Sequence, residues 1–385
     1  MKSTNMIRSL STAFQGCQVD SQRACKAAFS IVWLIALCLA FMGIRPVCAQ
    51  DLPRIAPAGL VWEADLGPNF SYDLAVRDLF FAYEKRVGQA LKAGSRGNVA
   101  IKVNTRAGRG LSTPLPLLQA CIKVLKARGY AADQILIIDY SAHALRQARI
   151  LPPLSSDSAT FEGARVIALD SGKYFEEDWF YDSPLPPAYL EDTQLFGQSA
   201  RRSLAEGSYE RKSFLAAPLL FEVDFWINLA VGVDDPALGV DGVLANATLW
   251  NVSNSQRFLA NPATASAAVA EIAAIPELQE RMVLHFISLE RYQFIAGPFF
   301  NSHYSRSESR LWMSSDPVAL DRLIYDKMNE LRLLEGFPDI SPTPRQLPFA
   351  ARLGLGTFDR DRIRIERIDN QVEAENIPEV SGETP

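Results

Sequence analysis

One segment with a strand–helix–strand pattern constrains the fold of this chain more than any other feature. Residues 99–104 form a short apolar run after a glycine turn, and residues 134–139 form a second apolar run that ends at Asp139. Between them, Thr113 can cap a helix, Pro114 can occupy its first turn, and Gly129 is typical of its end. Strands joined in this way are almost always parallel with a right-handed crossover. The segment therefore predicts an α/β fold with a mostly parallel sheet flanked by helices.

Further patterns extend the sheet and its helices. Apolar runs predict strands at residues 165–170, 225–230, 281–289 and 311–315. Apolar residues at helical spacing predict helices at 73–91 and 263–274, and a helix of about 18 residues after Asp316. Residues 173–192 are rich in acidic residues, aromatics and prolines, which favours an irregular excursion, a lid or a solvated loop, and residues 234–241 read as an acidic loop. We expect a single large domain with irregular insertions.

The first 49 residues differ from the rest of the chain. They contain four of the five cysteines and the longest apolar run, residues 29–43, with Arg23 and Lys26 before it and Val47-Cys48-Ala49 after it. A basic flank, an apolar core and a small-residue exit are typical of a secretory signal peptide, here with cleavage after Ala49. The alternative is an uncleaved N-terminal anchor. We therefore expect a periplasmic or secreted protein that contacts a membrane only if this segment is retained.

The remaining chain divides by composition. Residues 50–96 are predicted as an N-terminal arm and helix, 97–345 as the α/β domain, and 346–385 as a C-terminal extension with an edge strand at 363–365 and disorder from Glu373. Residues 1–49 hold five of the 39 basic residues and one of the 44 acidic residues, which leaves a net charge of −9 on residues 50–385. Such a balance disfavours nucleic acid as a partner.

Cysteine and histidine usage narrows the available chemistry. Only Cys121 remains after the leader, in an apolar helical pattern that predicts a buried side chain, so neither an iron–sulfur cluster nor a cysteine-rich zinc site is expected. The three histidines, His143, His285 and His303, are far apart in sequence and form no zinc motif. His285 lies in a strand pattern typical of a core residue, and His303 lies in a polar loop and is the better ligand-binding candidate.

Polar side chains lie in or just after the predicted strands. Lys102 and Asn104 belong to the first strand, Asp139 ends the second, and Asn228 interrupts a later apolar run. Ligands of open parallel sheets gather at the carboxyl ends of the strands, so these residues form one candidate site. Each residue taken alone is also compatible with a capping or turn role.

Two of these segments resemble a known family. Residues 99–104, Thr113-Pro114, the helix to Gly129 and the strand ending at Asp139 are similar to the opening of the domain-of-unknown-function 362 family. The run Ser314-Ser315-Asp316-Pro317-Val318-Ala319-Leu320-Asp321 resembles its closing motif, so that the resemblance covers about residues 97–330.

The chain departs from the pattern of that family in the middle. Relatives carry a Lys-x-His segment after the central Ile-Asn strand, whereas here Ile227-Asn228 is followed by Ala230–Asp235 without lysine or histidine. Ala245-Asn246 stands where relatives have Lys-Asn, and the cysteines of a ferredoxin module are missing. The resemblance implies a divergent member without that module.

Two functional hypotheses remain open. In the first, the protein is a carboxylate-based, metal-assisted enzyme or a degenerate relative of one. Lys102, Asp139 and Asp321 would then be catalytic, and a divalent cation would be held by oxygen ligands from Asp139, Asp234, Asp235 and Asp321. Asp321 is expected to face partly inward, where it orients a ligand or holds Lys102.

In the second hypothesis, the protein is a non-catalytic exported binding protein for small molecules or glycans. Residues 246–255, with Trp250 among asparagines and hydroxyl side chains, have groups that recognise polyols, although the same composition is common in turns. The ligand-binding candidates are Asn104, Asn228, Asn246, His303 and Asp316.

Overall fold

A computed structural model describes residues 52–154, 159–183, 212–259 and 261–368. The predicted signal peptide, the tail from Glu373 and the part of the predicted insertion after residue 183 lie outside these residues. The region from Leu52 onward forms one compact unit. Among the described residues, no helix is long and apolar enough to cross a membrane.

The strands and helices follow the sequence patterns closely. The strands are β1 (Leu60–Asp65), β2 (Val99–Val103), β3 (Ile135–Asp139), β4 (Thr160–Phe161), β5 (Ala164–Ala168), β6 (Phe175–Asp182), β7 (Lys212–Ala216), β8 (Phe225–Ala230), β9 (Val233–Asp235), β10 (Gly239–Asp241), β11 (Met282–Ser288), β12 (Tyr292–Gln293), β13 (Ser305–Arg306), β14 (Arg310–Ser314) and β15 (Arg364–Ile368). The α-helices are α1 (Tyr72–Val87), α2 (Leu115–Ala127), α3 (Ala142–Gln147), α4 (Val243–Ala247), α5 (Gln256–Leu259), α6 (Pro262–Ala273), α7 (Pro276–Gln279), α8 (Pro317–Leu334) and α9 (Gln346–Arg352).

The main sheet has nine strands in the order β15-β1-β14-β11-β8-β2-β3-β5-β4. Strands β11, β8, β2, β3 and β5 are mutually parallel, and β14 and β4 run antiparallel to their neighbours in this group. The predicted mostly parallel α/β sheet is confirmed. The N-terminal and C-terminal segments also join it, because β1 pairs with β14 and β15 pairs with β1.

Helices cover both faces of the sheet, which explains why its strands are continuous apolar runs rather than alternating ones. Helices α1 and α2 pack on one face in a core cluster that includes Phe80, Leu118 and the buried Cys121. Helices α4, α6 and α9 pack on the other face, and α8 lies there beside them. Among the described residues, the helices thus cover the two faces of the sheet, and the ends of its strands lie outside these packed faces.

Two segments that were expected to be irregular contain regular structure. Part of the predicted excursion at 173–192 is strand β6, which pairs antiparallel with β7. Its aromatic residues favour a strand, and Trp179 packs against Phe221 with 4.6 Å between ring centroids. The predicted loop 234–241 is the hairpin of β9 and β10, whose turn is stabilised because the Asp235 carboxylate accepts hydrogen bonds from the amides of Ala237 and Leu238.

Candidate functional site

A row of polar side chains runs across four central strands of the main sheet. Lys102 of β2 lies opposite Asn228 of β8, Asn228 lies opposite His285 of β11, and His285 lies opposite Ser314 of β14. Residues paired directly across strands share one face of a sheet. The row therefore interrupts an otherwise apolar face, and all four residues are completely buried.

Lys102 is the centre of this cluster. Its ammonium group donates to the carbonyl oxygen of Val103 at 2.7 Å, to Asp139 Oδ1 at 2.7 Å and to Asn246 Oδ1 at 2.8 Å. Three acceptors match the three protons of a charged ammonium group. Burial lowers the pKa of Lys102, and the negative charges of Asp139 and Asp241 act against this shift.

Asp139 ends β3 and uses all of its acceptor positions inside the protein. Oδ1 accepts from Lys102 Nζ and, at 2.8 Å, from the amide of Tyr140. Oδ2 accepts from the amide of Thr105 at 2.9 Å and from its hydroxyl at 2.6 Å. A carboxylate offers about four lone-pair positions, and here all four are taken.

A chain of amide groups connects Lys102 to His285. Asn246, on α4, donates from Nδ2 to Asn228 Oδ1 at 2.6 Å, and Asn228 Nδ2 lies 2.9 Å from the carbonyl of Val243 and 3.2 Å from His285 Nδ1. Burial lowers the pKa of His285 to about 3, so its ring is neutral at neutral pH. Its Nε2 is buried and has no hydrogen-bond partner among the described residues.

Arg106 forms the rim of the cluster, in the loop after β2. Its Nη1 donates to Asp241 Oδ2 at 2.8 Å and to Asp235 Oδ2 at 3.1 Å, and its guanidinium carbon lies 4.0 Å from the centre of the Trp250 ring. The Trp250 indole also donates to Asp241 at 2.8 Å. Burial raises the pKa of Asp241 to about 6, and the charge of Arg106 limits this increase. About a quarter of the Arg106 side chain, 23%, is exposed, so it is the part of the cluster that solvent reaches.

Asn104 lies at the same edge, next to Arg106. Its backbone amide donates to the hydroxyl of Thr113 at 2.8 Å, and that hydroxyl donates to the carbonyl of Leu229 at 2.8 Å, which ties the ends of β2 and β8 together. Its side-chain oxygen accepts from the amide of Arg106 at 3.2 Å. The Nδ2 group of Asn104 is buried without a hydrogen-bond partner in the described part of the chain.

Asp321 is buried one turn into α8 and supports the cluster indirectly. Its carboxylate accepts from the amides of Val243 at 2.6 Å and Leu244 at 2.9 Å, which are the first residues of α4. It therefore holds the helix that carries Asn246, rather than holding Lys102. Burial raises the pKa of Asp321 to about 7, while the two amides lower it in part and Asp241 raises it further.

Asp316 belongs to the opposite edge of the sheet, where β14 ends and α8 begins. It is the expected N-cap, accepting from the amide of Ala319 at 2.8 Å. Its other oxygen accepts from the amides of Gly59 at 2.7 Å and Thr357 at 2.8 Å. It lies beside a small cavity of about 110 Å³ that is lined mostly by apolar and backbone groups. Asp316 thus ties two distant segments to α8 and is not part of the Lys102 cluster.

His303 also lies apart from the Lys102 cluster. It is exposed in a single 3-10 turn, Ser302–Tyr304, where its amide donates to Asn301 Oδ1 at 3.0 Å. The structure thus brings together Lys102, Asp139, Asn228 and Asn246, with Asn104 beside them.

The carboxylates proposed to hold a cation do not converge. Asp139 pairs with Lys102, Asp235 with Arg106 and Asp234 with Arg332 at 3.4 Å, while Asp321 binds backbone amides. Within the described ranges, no group of three or more histidine, cysteine, aspartate or glutamate side chains is placed to hold a metal ion.

The sequence pattern missed two members of the cluster, Arg106 and Asp241. His285 was interpreted as a core residue, and it is completely buried. The signal for Arg106 was present, since it follows Asn104 in the loop after a predicted strand, where ligand-binding residues of parallel sheets lie. Its partner Asp241 is distant in sequence, and only the β9–β10 hairpin brings it near.

Comparisons with known proteins assign no family to the chain. No protein-family model, no curated protein and no solved structure matches the chain. The structure itself defines the class: an α/β protein with a mostly parallel sheet and a buried lysine-centred cluster at the carboxyl ends of its strands.

Proposed function

We propose that this protein binds a small, neutral, hydroxyl-bearing molecule such as a polyol or sugar at the carboxyl edge of its sheet, without catalysing a reaction on it. The observation that carries the proposal is the complete internal use of Lys102 and Asp139. A catalytic acid, base or nucleophile needs hydrogen-bond reach to its substrate. Lys102 has no exposed surface and three internal acceptors, and Asp139 already accepts four hydrogen bonds.

Arg106 and Asn104 are the groups that support ligand binding. They lie two residues apart in the loop after β2, at the edge where parallel sheets bind ligands. Arg106 is partly exposed and is the group that a ligand meets first, while the Nδ2 group of the buried Asn104 has no hydrogen-bond partner among the described residues. Both are donors, so the matching ligand presents oxygen acceptors to this edge.

The local charge favours a neutral ligand over an anion. Arg106 already interacts with Asp235 and Asp241, and Lys102 interacts with Asp139. The two cations therefore face three carboxylates, which disfavours a phosphate or a carboxylate here. Hydroxyl groups can both donate and accept, and they fit such a mixed set of partners.

Calorimetric titration with a panel of polyols and monosaccharides tests the proposal. We expect saturable binding of at least one member, weakened about tenfold or more in Arg106→Gln because a charged hydrogen bond contributes about 1.5–3 kcal/mol. Arg109→Gln is the matched control, since Arg109 is an exposed arginine of the same loop. The absence of saturable binding across the panel, or equal binding by the two variants, contradicts the proposed site.

A panel of chromogenic ester, glycoside and phosphate substrates tests the non-catalytic part. No turnover is expected from the wild-type protein. Turnover that disappears in a folded Asp139→Asn variant would restore the enzyme hypothesis, because that change alters the charge at the centre of the cluster while keeping its shape.

We also propose that the chain is a divergent, exported relative of the domain-of-unknown-function 362 family. In support, the residues of the opening motif occupy β2, α2 and β3, and those of the closing motif occupy the end of β14 and the start of α8. Export is tested by N-terminal sequencing of the mature protein, which is expected to begin at Gln50. Recovery of the full-length chain in the membrane fraction would favour the uncleaved anchor.

A further inference from the structure

Two arginines lie on either side of the start of β8, at the amino edge of the sheet. Strand β8 lies between β11 and β2. Arg281 immediately precedes β11, and its carbonyl accepts from the amide of Trp226 at 2.8 Å. Arg96 lies three residues before β2, and its amide donates to Asp224 at 2.8 Å. This edge is opposite the Lys102 cluster.

Arg281 is a buried arginine without a carboxylate partner. Only 8% of its surface is exposed, and no ion pair joins it to a described carboxylate. Its Nη1 donates to the carbonyl of Glu277 at 3.0 Å, whereas its Nε is buried with no hydrogen-bond partner among the described residues. Burying a guanidinium group without an ion pair is costly, so an anion bound beside it would stabilise it.

Arg96 increases the positive charge at this place instead of compensating for it. Its guanidinium donates to the carbonyl of Val223 at 3.3 Å, next to the start of β8. Burial and the charge of Arg96 lower the pKa of Arg281, and Glu280 and Glu277 act in the opposite direction with smaller effects.

Asp224 could act as an internal counter-ion, but its carboxylate is hydrogen-bonded to other groups. Its carboxylate accepts from the amides of Gly94 at 2.8 Å, Arg96 at 2.8 Å and Gly97 at 3.1 Å, and from the hydroxyl of Tyr130 at 3.2 Å. These bonds fix the loop before β2, and among the described residues no ion pair joins the Asp224 carboxylate to either guanidinium group. Successive backbone amides of this kind are a common cradle for a negative group, and here the protein fills the cradle with its own carboxylate.

We propose that Arg96 and Arg281 form a binding site for a small oxyanion of the phosphate type. A guanidinium group offers planar pairs of donors that match phosphate oxygens, and two such groups can contact one phosphate together. The ligand is either free phosphate or a phosphate group carried by a small molecule. This site is independent of the polyol site proposed for the opposite edge.

Inorganic phosphate is the probe for this site. The full chain is titrated with phosphate up to about 20 mM at constant ionic strength, by calorimetry and by thermal denaturation, since a ligand that binds only the folded state raises stability with concentration. We expect saturable binding in the wild type, its loss in Arg281→Met and a reduction of about tenfold in Arg96→Met, because each guanidinium contributes charged hydrogen bonds. Arg352→Met, which removes an exposed arginine from α9, is expected to bind as the wild type does.

The Arg281→Met variant separates loss of binding from loss of folding. Replacing an uncompensated buried charge with an apolar side chain of similar length is often neutral or stabilising. Without phosphate, its melting temperature is therefore expected to equal or exceed that of the wild type. Undetectable phosphate binding by the wild type, or unchanged binding by Arg281→Met, overturns the proposal.

The two nearby glutamates provide a second test. If Glu277 or Glu280 supplied the counter-charge in solution, Glu277→Gln or Glu280→Gln would destabilise the protein strongly in the absence of phosphate, and this result also overturns the proposal. We expect instead a small change in stability and phosphate binding that is retained or tighter. A tighter affinity for glycerol phosphate than for inorganic phosphate identifies a phosphorylated small molecule as the source, and equal affinities identify the free ion.

Discussion

The two edges of the sheet stabilise a buried aspartate in different ways. Each holds a buried aspartate, Asp139 at the carboxyl edge and Asp316 at the amino edge, with 4% and 3% of their surfaces exposed. Asp139 interacts with the ammonium group of Lys102 as well as with neutral donors. Asp316 accepts from the backbone amides of Gly59, Ala319 and Thr357 and from the side chain of Thr357, all of them neutral donors. The carboxyl edge stabilises its carboxylate with a cation and neutral donors, and the amino edge stabilises its carboxylate with neutral donors alone.

This difference corresponds to different roles. The partners of Asp139 lie on neighbouring strands and loops of one edge, so the bonds define a cluster. The partners of Asp316 come from the segment before β1, from α8 and from the segment after α9, so the bonds join parts of the chain that are far apart in sequence. Burial raises the pKa of Asp316, and its three amides lower it in part. A motif with two aspartates at the start of α8 therefore has a structural role in this protein.

The largest effect is expected when the cation is removed from the carboxyl edge. Lys102→Met leaves Asp139 buried without its counter-charge, which costs about 3–5 kcal/mol in the free energy of unfolding. Urea denaturation measures this change. The matched control is Lys123→Met, because Lys123 pairs with Asp73 at 2.6 Å on the surface, and exposed pairs contribute about 0–1 kcal/mol.

A double variant shows whether the loss in unfolding free energy arises because Asp139 remains charged without a partner. Lys102→Met combined with Asp139→Asn is expected to be less destabilised than the sum of the two single variants, since neither charge then remains without a partner. Additive costs, or a cost below about 1 kcal/mol for Lys102→Met, would contradict the charge balance inferred for this edge.

A smaller effect is expected at the amino edge. Asp316→Ala removes the cap of α8, which contributes about 1 kcal/mol, and leaves the amides of Gly59 and Thr357 without their acceptor, so that the total cost is about 3 kcal/mol. Asp359→Ala is the control, because Asp359 caps an exposed 3-10 turn with a single hydrogen bond of 3.2 Å to the amide of Asp361.

Hydrogen exchange tests the separation of the two edges within the same variant. In Asp316→Ala, exchange is expected to accelerate at the amides of Gly59 and Thr357, while the amide of Thr105, bound to Asp139, keeps its protection relative to global unfolding. Equal acceleration at all three amides would mean that the two edges open together.

The sequence predicted the sheet well because its signals are local. The strands at Val99–Val103 and Phe225–Ala230 are apolar runs bounded by turns, and α8 begins at an Asp-Pro pair that caps it. Strand β6 was the exception, because its mixture of acidic and aromatic residues hides a strand whose partner, β7, begins 30 residues after β6 ends.

The site was predicted less completely because its contacts are not local. Lys102, Asp139 and Asn228 were placed together correctly, since they end or interrupt neighbouring strands. The role of Asp321 depends on α4, which lies 74 or more positions earlier in the chain, and no spacing rule indicates that its carboxylate meets the amides of that helix. Arg106 and Asp241 are likewise joined only by the tertiary fold.

A third buried carboxylate combines features of both edges. Asp321 is held by backbone amides like Asp316, but it supports the carboxyl-edge cluster through α4. Burial raises its pKa from 3.8 to about 7. The folded state therefore binds a proton that the unfolded state has lost between about pH 4 and pH 7, so this group lowers the stability of the protein as the pH rises through that range, by at most about 1.4 kcal/mol per pH unit.

The measurement is the slope of unfolding free energy against pH in the wild type and in Asp321→Asn. The variant cannot titrate, so its stability is expected to fall less between about pH 4 and pH 7, whatever its absolute stability. Asp241, whose pKa is raised to about 6, contributes a slope of the same sign that both proteins retain. Asp326→Asn is the control, since Asp326 pairs with Arg322 at 2.9 Å near the surface. Identical slopes in wild type and Asp321→Asn would show that the amides of Val243 and Leu244 keep Asp321 ionised. Neutral hydrogen-bond donors would then be sufficient to stabilise a buried carboxylate at this edge as well.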